Sequence, residues 1–241
     1  MDMYQKREMR KNKKMNEDTK SLPSTSINWF PGHMAKTRKQ ITEDLKMIDV
    51  VVEILDARIP NSSQNPDIRQ ITQNKKKVIV LNKYDLSDKV KVEKWVEYFT
   101  KKGQKVVLAD SLTGRGINET TRQIQKIMEE DMQKMVDKGR IGRKIRVMIV
   151  GIPNVGKSSF INRISKKTSA EVGNKPGVTK QKQWIRINDK IELLDTPGVL
   201  WPKFENEKVA MNLAITGTIK DDILDLVEVA YTLTKFMLEN Y

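Results

Sequence analysis

Cysteine is absent from the 241 residues, and histidine occurs once, at His33. The first absence excludes disulfides, thiol nucleophiles and cysteine-ligated zinc; the second excludes any multi-histidine metal centre. No apolar run approaches the ~18 residues of a membrane-spanning helix, and the N-terminus lacks an apolar signal core. Acidic residues are also scarce relative to basic ones, 31 against 45, for a net charge of +14. A surplus of that size suggests a polyanionic partner, nucleic acid or membrane surface. A cytoplasmic setting fits all of these absences. The length suits one generous α/β domain, or one domain with a small appendage.

Residues 1–26 read as a basic arm with too few apolar residues to pack, and are expected to be disordered. The arm carries Lys6, Arg7, Arg10, Lys11, Lys13 and Lys14, and ends in the linker Ser21-Leu22-Pro23-Ser24-Thr25-Ser26. From residue 27 onward, short apolar runs alternate with helical periodicities. Strands are expected at 49–55, 77–81, 105–109, 145–150, 183–187 and 190–194. Helices are expected from Pro31-Gly32 to about Met47, at 67–72, at 90–101 and from Ile117 onward. Strands alternating with helices predict a mostly parallel sheet covered on both faces. A last amphipathic helix is expected to carry Ile223, Leu226, Val227, Ala230, Leu233 and Met237 on one face. Between the long helix and the strand at 145 lies a basic cluster, Lys134, Lys138, Arg140, Arg143, Lys144 and Arg146, with Asp137 its one local acid. It is a candidate for phosphate-backbone contact.

The chemistry begins at Gly151-Ile152-Pro153-Asn154-Val155-Gly156-Lys157-Ser158, between an apolar strand and a helix through Ser159, Phe160, Ile161 and Ile164. That is the context a P-loop requires. Its glycines let backbone N–H groups converge on phosphate oxygens, and the helix N-terminus adds positive field. Lys157 is expected to reach the β and γ phosphates and Ser158 to ligand Mg²⁺. Asp195-Thr196-Pro197-Gly198 closes a later strand, where Asp195 is placed to hold Mg²⁺ through water and the Gly198 N–H to sense the γ-phosphate. Thr179, in the Gly/Pro-rich stretch 173–179, offers a further hydroxyl for Mg²⁺. These two loops are expected to act as switches, ordered by γ-phosphate and released after hydrolysis.

Asn82-Lys83-Tyr84-Asp85 ends another strand and decides the base. Guanine presents two N–H donors to one carboxylate, which Asp85 supplies; adenine presents an acceptor there and leaves Asp85 unpaired, at a cost of ~1–3 kcal/mol per lost partner. Asn82 is expected to tie the loops around the base, and the stem of Lys83 to cover its face. Asp110-Ser111 offers a backbone N–H towards the guanine oxygen. The base motif precedes the P-loop here, the reverse of the usual GTPase order. A circular permutation, the same sheet with moved chain ends, explains this.

These stretches, with Trp29-Phe30-Pro31-Gly32-His33-Met34, Asp56-Ala57-Arg58-Ile59-Pro60 and Pro176-Gly177-Val178-Thr179, resemble the circularly permuted GTPases over residues 27 to about 220. The resemblance implies a cytoplasmic GTPase that binds the immature large ribosomal subunit and its rRNA, with hydrolysis permitting release late in assembly; a monomer is expected. It implies a GTPase domain at 27–203 and, at 204–241, the start of a larger helical domain of which only a short segment is present. Val199 and Leu200 follow Gly198, where Ras-like enzymes have a water-orienting glutamine, so hydrolysis by the chain alone should be slow. The resemblance implies a catalytic role for His33; the other reading is a histidine that stabilises the Pro31-Gly32 turn. In resembling cation-dependent GTPases an asparagine at the position of Asn154 ligands K⁺; the other reading is an asparagine that caps its loop. Two rival functions stay open: a GTP-dependent RNA-binding module with negligible intrinsic hydrolysis, and a GTPase acting on tRNA or at a membrane.

Overall fold

The computed structural model describes residues 33–165, 183–195, 206–219 and 221–240; the expectations for residues 1–26, Thr179 and Gly198 lie outside them. Six strands form one sheet: β1 (Val50–Asp56), β2 (Lys76–Asn82), β3 (Lys105–Leu108), β4 (Ile145–Val150), β5 (Gln183–Arg186) and β6 (Ile191–Asp195). Their order is β3-β2-β1-β4-β6-β5, parallel throughout except for the antiparallel β5–β6 pair. Every residue of β1 is buried. That burial explains its near-continuous apolar sequence, because crossover helices cover both faces of a parallel sheet.

The helices are α1 (His33–Asp44), α2 (Pro66–Ile71), α3 (Lys89–Lys101), α4 (Ile117–Asp137), α5 (Lys157–Ser165), α6 (Glu207–Ile215) and α7 (Leu226–Asn240). Alternation along β1 divides the core. Val50, Val52 and Ile54 join the cluster that includes Ile124 and Met128 of α4 and Phe160 and Ile161 of α5. On the other face, Val51 packs with Ile41, Leu45 and Ile68, and Leu55 with Val92 and Phe99 of α3. Each such side chain contributes roughly 1.5–3 kcal/mol when fully buried. The α4 periodicity holds for Ile117, Ile124 and Met128, while Met135 is half-buried and accepts from Arg143 Nη1 at 3.3 Å. Glu53, on the α1–α3 face of β1, is 1% exposed and paired with Lys77 of β2 at 3.0 Å.

Two expectations need correction. Ile223 is not part of the last helix but of a separate 3₁₀ turn, Asp221–Ile223. The reason is Asp225, whose carboxylate accepts from the N–H groups of Val227 and Glu228 and starts α7 afresh. No residue of α7 is buried, so its apolar positions do not pack as a face on the sheet. The basic cluster is also less free than its local sequence suggests. Arg143 pairs with Asp49 at 2.8 Å, and Arg146 with Glu192 at 2.8 Å. By contrast α6 belongs to the core: Leu213, and Ile219 just beyond it, join the α4–α5 cluster.

Candidate nucleotide-binding site

The expected residues meet at the C-terminal ends of β1, β2 and β4, where open α/β sheets bind ligands. The P-loop leaves β4 in close contact with its neighbours. A Cβ on Gly151 would lie 2.5 Å from the Ile54 carbonyl oxygen, so only glycine fits beside β1. Gly156 has φ +93°, and a Cβ there would stand 2.4 Å from Asn82 Nδ2. Val155 between them is buried in the core. α5 then starts at Lys157, with Phe160 N–H donating to the Gly156 carbonyl at 2.9 Å. Ser158 and Ser159 occupy its first turn, half-buried. Lys157 is buried, and its ammonium donates to the Ile152 carbonyl at 3.2 Å, curled over the loop a phosphate would fill.

Asn82 ties three segments together. Its Nδ2 donates to the Val155 carbonyl at 2.8 Å, and its Oδ1 accepts from Ser111 N at 3.1 Å and Ser111 Oγ at 2.8 Å. Of the Asp110-Ser111 backbone N–H groups considered for the guanine oxygen, that of Ser111 is directed at Asn82 here and that of Asp110 at the Arg115 carbonyl at 3.1 Å, while the next one, of Leu112, donates to Asp110 Oδ1 at 2.8 Å. Asp110 also accepts from Thr113 Oγ1 at 2.5 Å. That hydroxyl foremost, outweighing desolvation with help from backbone N–H groups and Arg163, holds its carboxyl below the usual range. Asp110 thus shapes its loop.

Lys83 adopts φ +58° and Asn154 φ +60°, the two non-glycine residues with positive φ among the described ones. They are bonded to each other: Lys83 Nζ donates to the Asn154 carbonyl at 2.6 Å. Sparsely populated backbone conformations of this kind cost of order 1–3 kcal/mol and collect at functional sites. Tyr84 is buried, its N–H on the Ala109 carbonyl at 3.1 Å, with Lys89 Nζ 3.9 Å and the Arg115 guanidinium 4.6 Å from its ring centre. Asp85 follows in the short 3₁₀ turn Tyr84–Leu86 and is exposed, open to a base.

Two functional residues are legible in the sequence only as part of a motif. Asp56 ends β1 in register with Asn82 and is buried. It accepts from Arg58 Nε at 2.9 Å, Arg58 Nη2 at 2.6 Å and Arg58 N at 3.0 Å, and pairs with Lys83 at 3.1 Å. Burial pushes this carboxyl up, but the Arg58 hydrogen bonds and the charges of Lys83 and Arg58 outweigh it, and the net direction is down. Arg58 in turn is raised, chiefly by Asp56 and in smaller part by the charge of Asp85. The site is braced from the other side as well: Asn154 Nδ2 donates to the Gly217 carbonyl just past α6, and Asn212 of α6 donates to Ser62 Oγ at 3.0 Å in the loop after β1.

For magnesium the donor set fits in part by placement. Asp195 ends β6 in register with Ile149, two residues before the P-loop glycine, and Ser158 is the second residue of α5. No group of three or more His, Cys, Asp or Glu among the described residues could hold a metal by itself. A Mg²⁺ at this place would depend on nucleotide phosphates for its remaining ligands, as is usual for this ion. His33 is the first residue of α1; its side chain and that of Asp195 lie outside the described ones.

A strand–glycine loop–helix unit, with the Asn-Lys-x-Asp strand stitched to it from earlier in the chain, defines a P-loop GTPase of permuted motif order. Comparison agrees. The family described as "50S ribosome-binding GTPase" matches residues 146–240, the part of the chain with the P-loop. Ribosome biogenesis GTPase A of Bacillus pumilus is 49% identical over 216 residues, covering 90% of this chain and 77% of that protein. Its counterpart in Thermotoga maritima is 35% identical over 195 residues, 80% of this chain and 66% of that one. The crystal structure of GNP-bound YlqF from T. maritima matches with a TM-score of 0.62 at 27% identity, over 85% of this chain and 75% of that chain. The chain belongs to the ribosome biogenesis GTPase A family.

Proposed function

We propose that this chain binds and hydrolyses GTP as an assembly factor of the large ribosomal subunit, acting late in its maturation. The observation that carries the nucleotide half is the stitching of Asn82 and Lys83 to the P-loop carbonyls of Val155 and Asn154, which leaves Asp85 exposed beside them. Guanine fits an exposed carboxylate there because both of its N–H donors can be taken by one group. Lys157, now on the Ile152 carbonyl, exchanges that neutral acceptor for phosphate oxygens when nucleotide enters. Ser158 and Asp195 would hold Mg²⁺, which supplies charge neutralisation across the phosphates. Asn154 is held by the Gly217 carbonyl through its Nδ2, and its amide oxygen is the atom that would ligand K⁺. The ribosomal half is supported by family membership and by the net charge of +14.

The side chains of Val199 and Leu200 cannot hydrogen-bond a water, so turnover by the chain alone is slow and the ribosomal particle stimulates it. His33 is the group we place at the attacking water. The same two residues favour a second reading, a GTP-dependent RNA-binding module that scarcely hydrolyses. Single-turnover GTP hydrolysis with and without immature large subunits, in K⁺ and in Na⁺, separates them. Stimulation by particles, lost in His33→Ala with GTP binding intact, supports the enzyme; a rate unmoved by particles supports the module. Equal rates in the two salts would remove the K⁺ role of Asn154.

A further inference from the structure

We propose that the open outer face of β4, β6 and β5 is a stacking platform for single-stranded RNA, with Trp184 taking a base and Lys144 and Arg186 the flanking phosphates. The β5 edge strand turns Ile185 into the core, which places Trp184 and Arg186 on the opposite face of the sheet. On that face the cluster built on α1 takes in Met148, Val150 and Leu194, but not the next row towards the other end of the strands. That row reads Arg146, Glu192, Arg186 across three strands in register. Trp184 is 44% exposed beside it.

The row is organised for a flat, charged guest. Arg146 Nε is fixed on Glu192 Oε1 at 2.8 Å, and its guanidinium lies 5.3 Å from the Trp184 ring centre. Lys144 Nζ is 4.0 Å from the other Glu192 oxygen, so one carboxylate serves two cations. Arg186 is paired with Asp189 at the hairpin turn, both well exposed, an association a phosphate can displace. An aromatic ring with a guanidinium against it and ammonium and guanidinium groups around it suits a base and its phosphodiesters. The core of a protein–protein interface is depleted of charged residues; Trp184 has Arg146 against its ring and Glu192 and Lys144 beside that arginine instead.

This rests on the reading that the partner is a ribosomal particle, and the test keeps the two apart. The full chain, loaded with a non-hydrolysable GTP analogue, is titrated with a fluorescent twelve-nucleotide oligouridine at several salt concentrations. Trp184→Ala is expected to weaken binding roughly 5- to 150-fold, the range for losing one stacked base, while Trp184→Phe keeps most of the affinity. Lys144→Ala and Arg186→Ala should each lower the slope of log affinity against log salt by about 0.7. GTP affinity should be unchanged in all four, since none touches the nucleotide site. If Trp184→Ala binds the oligomer as the parent chain does, the platform is wrong and the ribosomal reading stands. If the parent chain binds no oligomer yet co-sediments with immature subunits, the platform is again overturned. Binding to neither would overturn both.

Discussion

Arg58→Ala tests whether the guanine strand is held from behind. The guanidinium gives Asp56 two hydrogen bonds, at 2.9 and 2.6 Å, and the carboxylate is only 3% exposed. Breaking a buried ion pair from one side costs about 3–5 kcal/mol. Here Lys83 stays at 3.1 Å, and Arg58 is itself 29% exposed, so water can replace part of it. We expect a loss of about 2 kcal/mol at pH 7, below that range for those two reasons. The pH dependence identifies the cause. Asp56 has a folded pKa below its unfolded one, so its contribution is complete above the ordinary carboxyl range and is lost as pH falls through the folded value. Without Arg58 the carboxyl loses the hydrogen bonds and charge that do most to lower it, and it titrates at higher pH than in the parent. Parent and variant should therefore differ most at pH 7 and converge in urea unfolding below about pH 4. Nucleotide affinity should follow, because Lys83 links Asp56 to the Asn154 carbonyl: about tenfold weaker GDP binding, equivalent to ~1.4 kcal/mol. Arg58→Lys should restore only part of either. A stability difference independent of pH, or a GDP affinity unaltered by Arg58→Ala, would refute the relay.

Asn82→Ala removes three buried hydrogen bonds joining β2, the P-loop and the Ser111 loop, and should lower urea-unfolding stability by about 2–4 kcal/mol while abolishing GTP binding at micromolar concentrations. Inosine triphosphate lacks the exocyclic amine that Asp85 would bind, so a competition assay should show it roughly 10- to 150-fold weaker than GTP, one charged hydrogen bond's worth; equal affinity would remove Asp85 from the base. Lys77→Met strands the buried Glu53 carboxylate and should cost about 3–5 kcal/mol at neutral pH, whereas the double variant with Glu53→Leu should recover most of it in chemical denaturation.

The sheet is legible in the sequence because each of its strands is a short apolar run closed by a turn or a motif, and the permuted order follows from where Asn82 and Gly151 stand in the chain. Local chemistry carries that far. It does not show that Arg143 and Arg146 find their acids at Asp49 and Glu192, far away in sequence. Seen along the chain alone, those arginines read as part of one patch opposed only by Asp137. Asp56 and Arg58 are visible as a motif without a task, since the task arises only when β1 and β2 lie in register and bring Asp56 opposite Asn82. A strand-end amide beside a base pocket suits the guanine oxygen, which is why the sequence points to a backbone N–H of Asp110-Ser111; the structure shows Asn82 Oδ1 taking that of Ser111 at 3.1 Å. Spacing alone puts Ile223 on α7, but spacing does not register the cap that Asp225 imposes two residues later.

The bonds from α6 and its following turn to Ser62 and Asn154 bear on how the molecule is made. Synthesis delivers β1, β2 and β3 first, and β1 then has one edge paired with β2 and the other bare, waiting for β4. The guanine strand is thus complete while the phosphate loop has yet to be translated, and the Asn154 brace arrives later still, with Gly217. Nascent chains arrested once Ser165 has emerged should hold β1 to β4 without that brace. Those arrested once Gly217 has emerged should survive added protease longer and bind fluorescent GTP more tightly. A growing chain of this design reaches nucleotide competence only after Gly217 has emerged, well behind its guanine strand, the opposite schedule to a GTPase that begins with its P-loop.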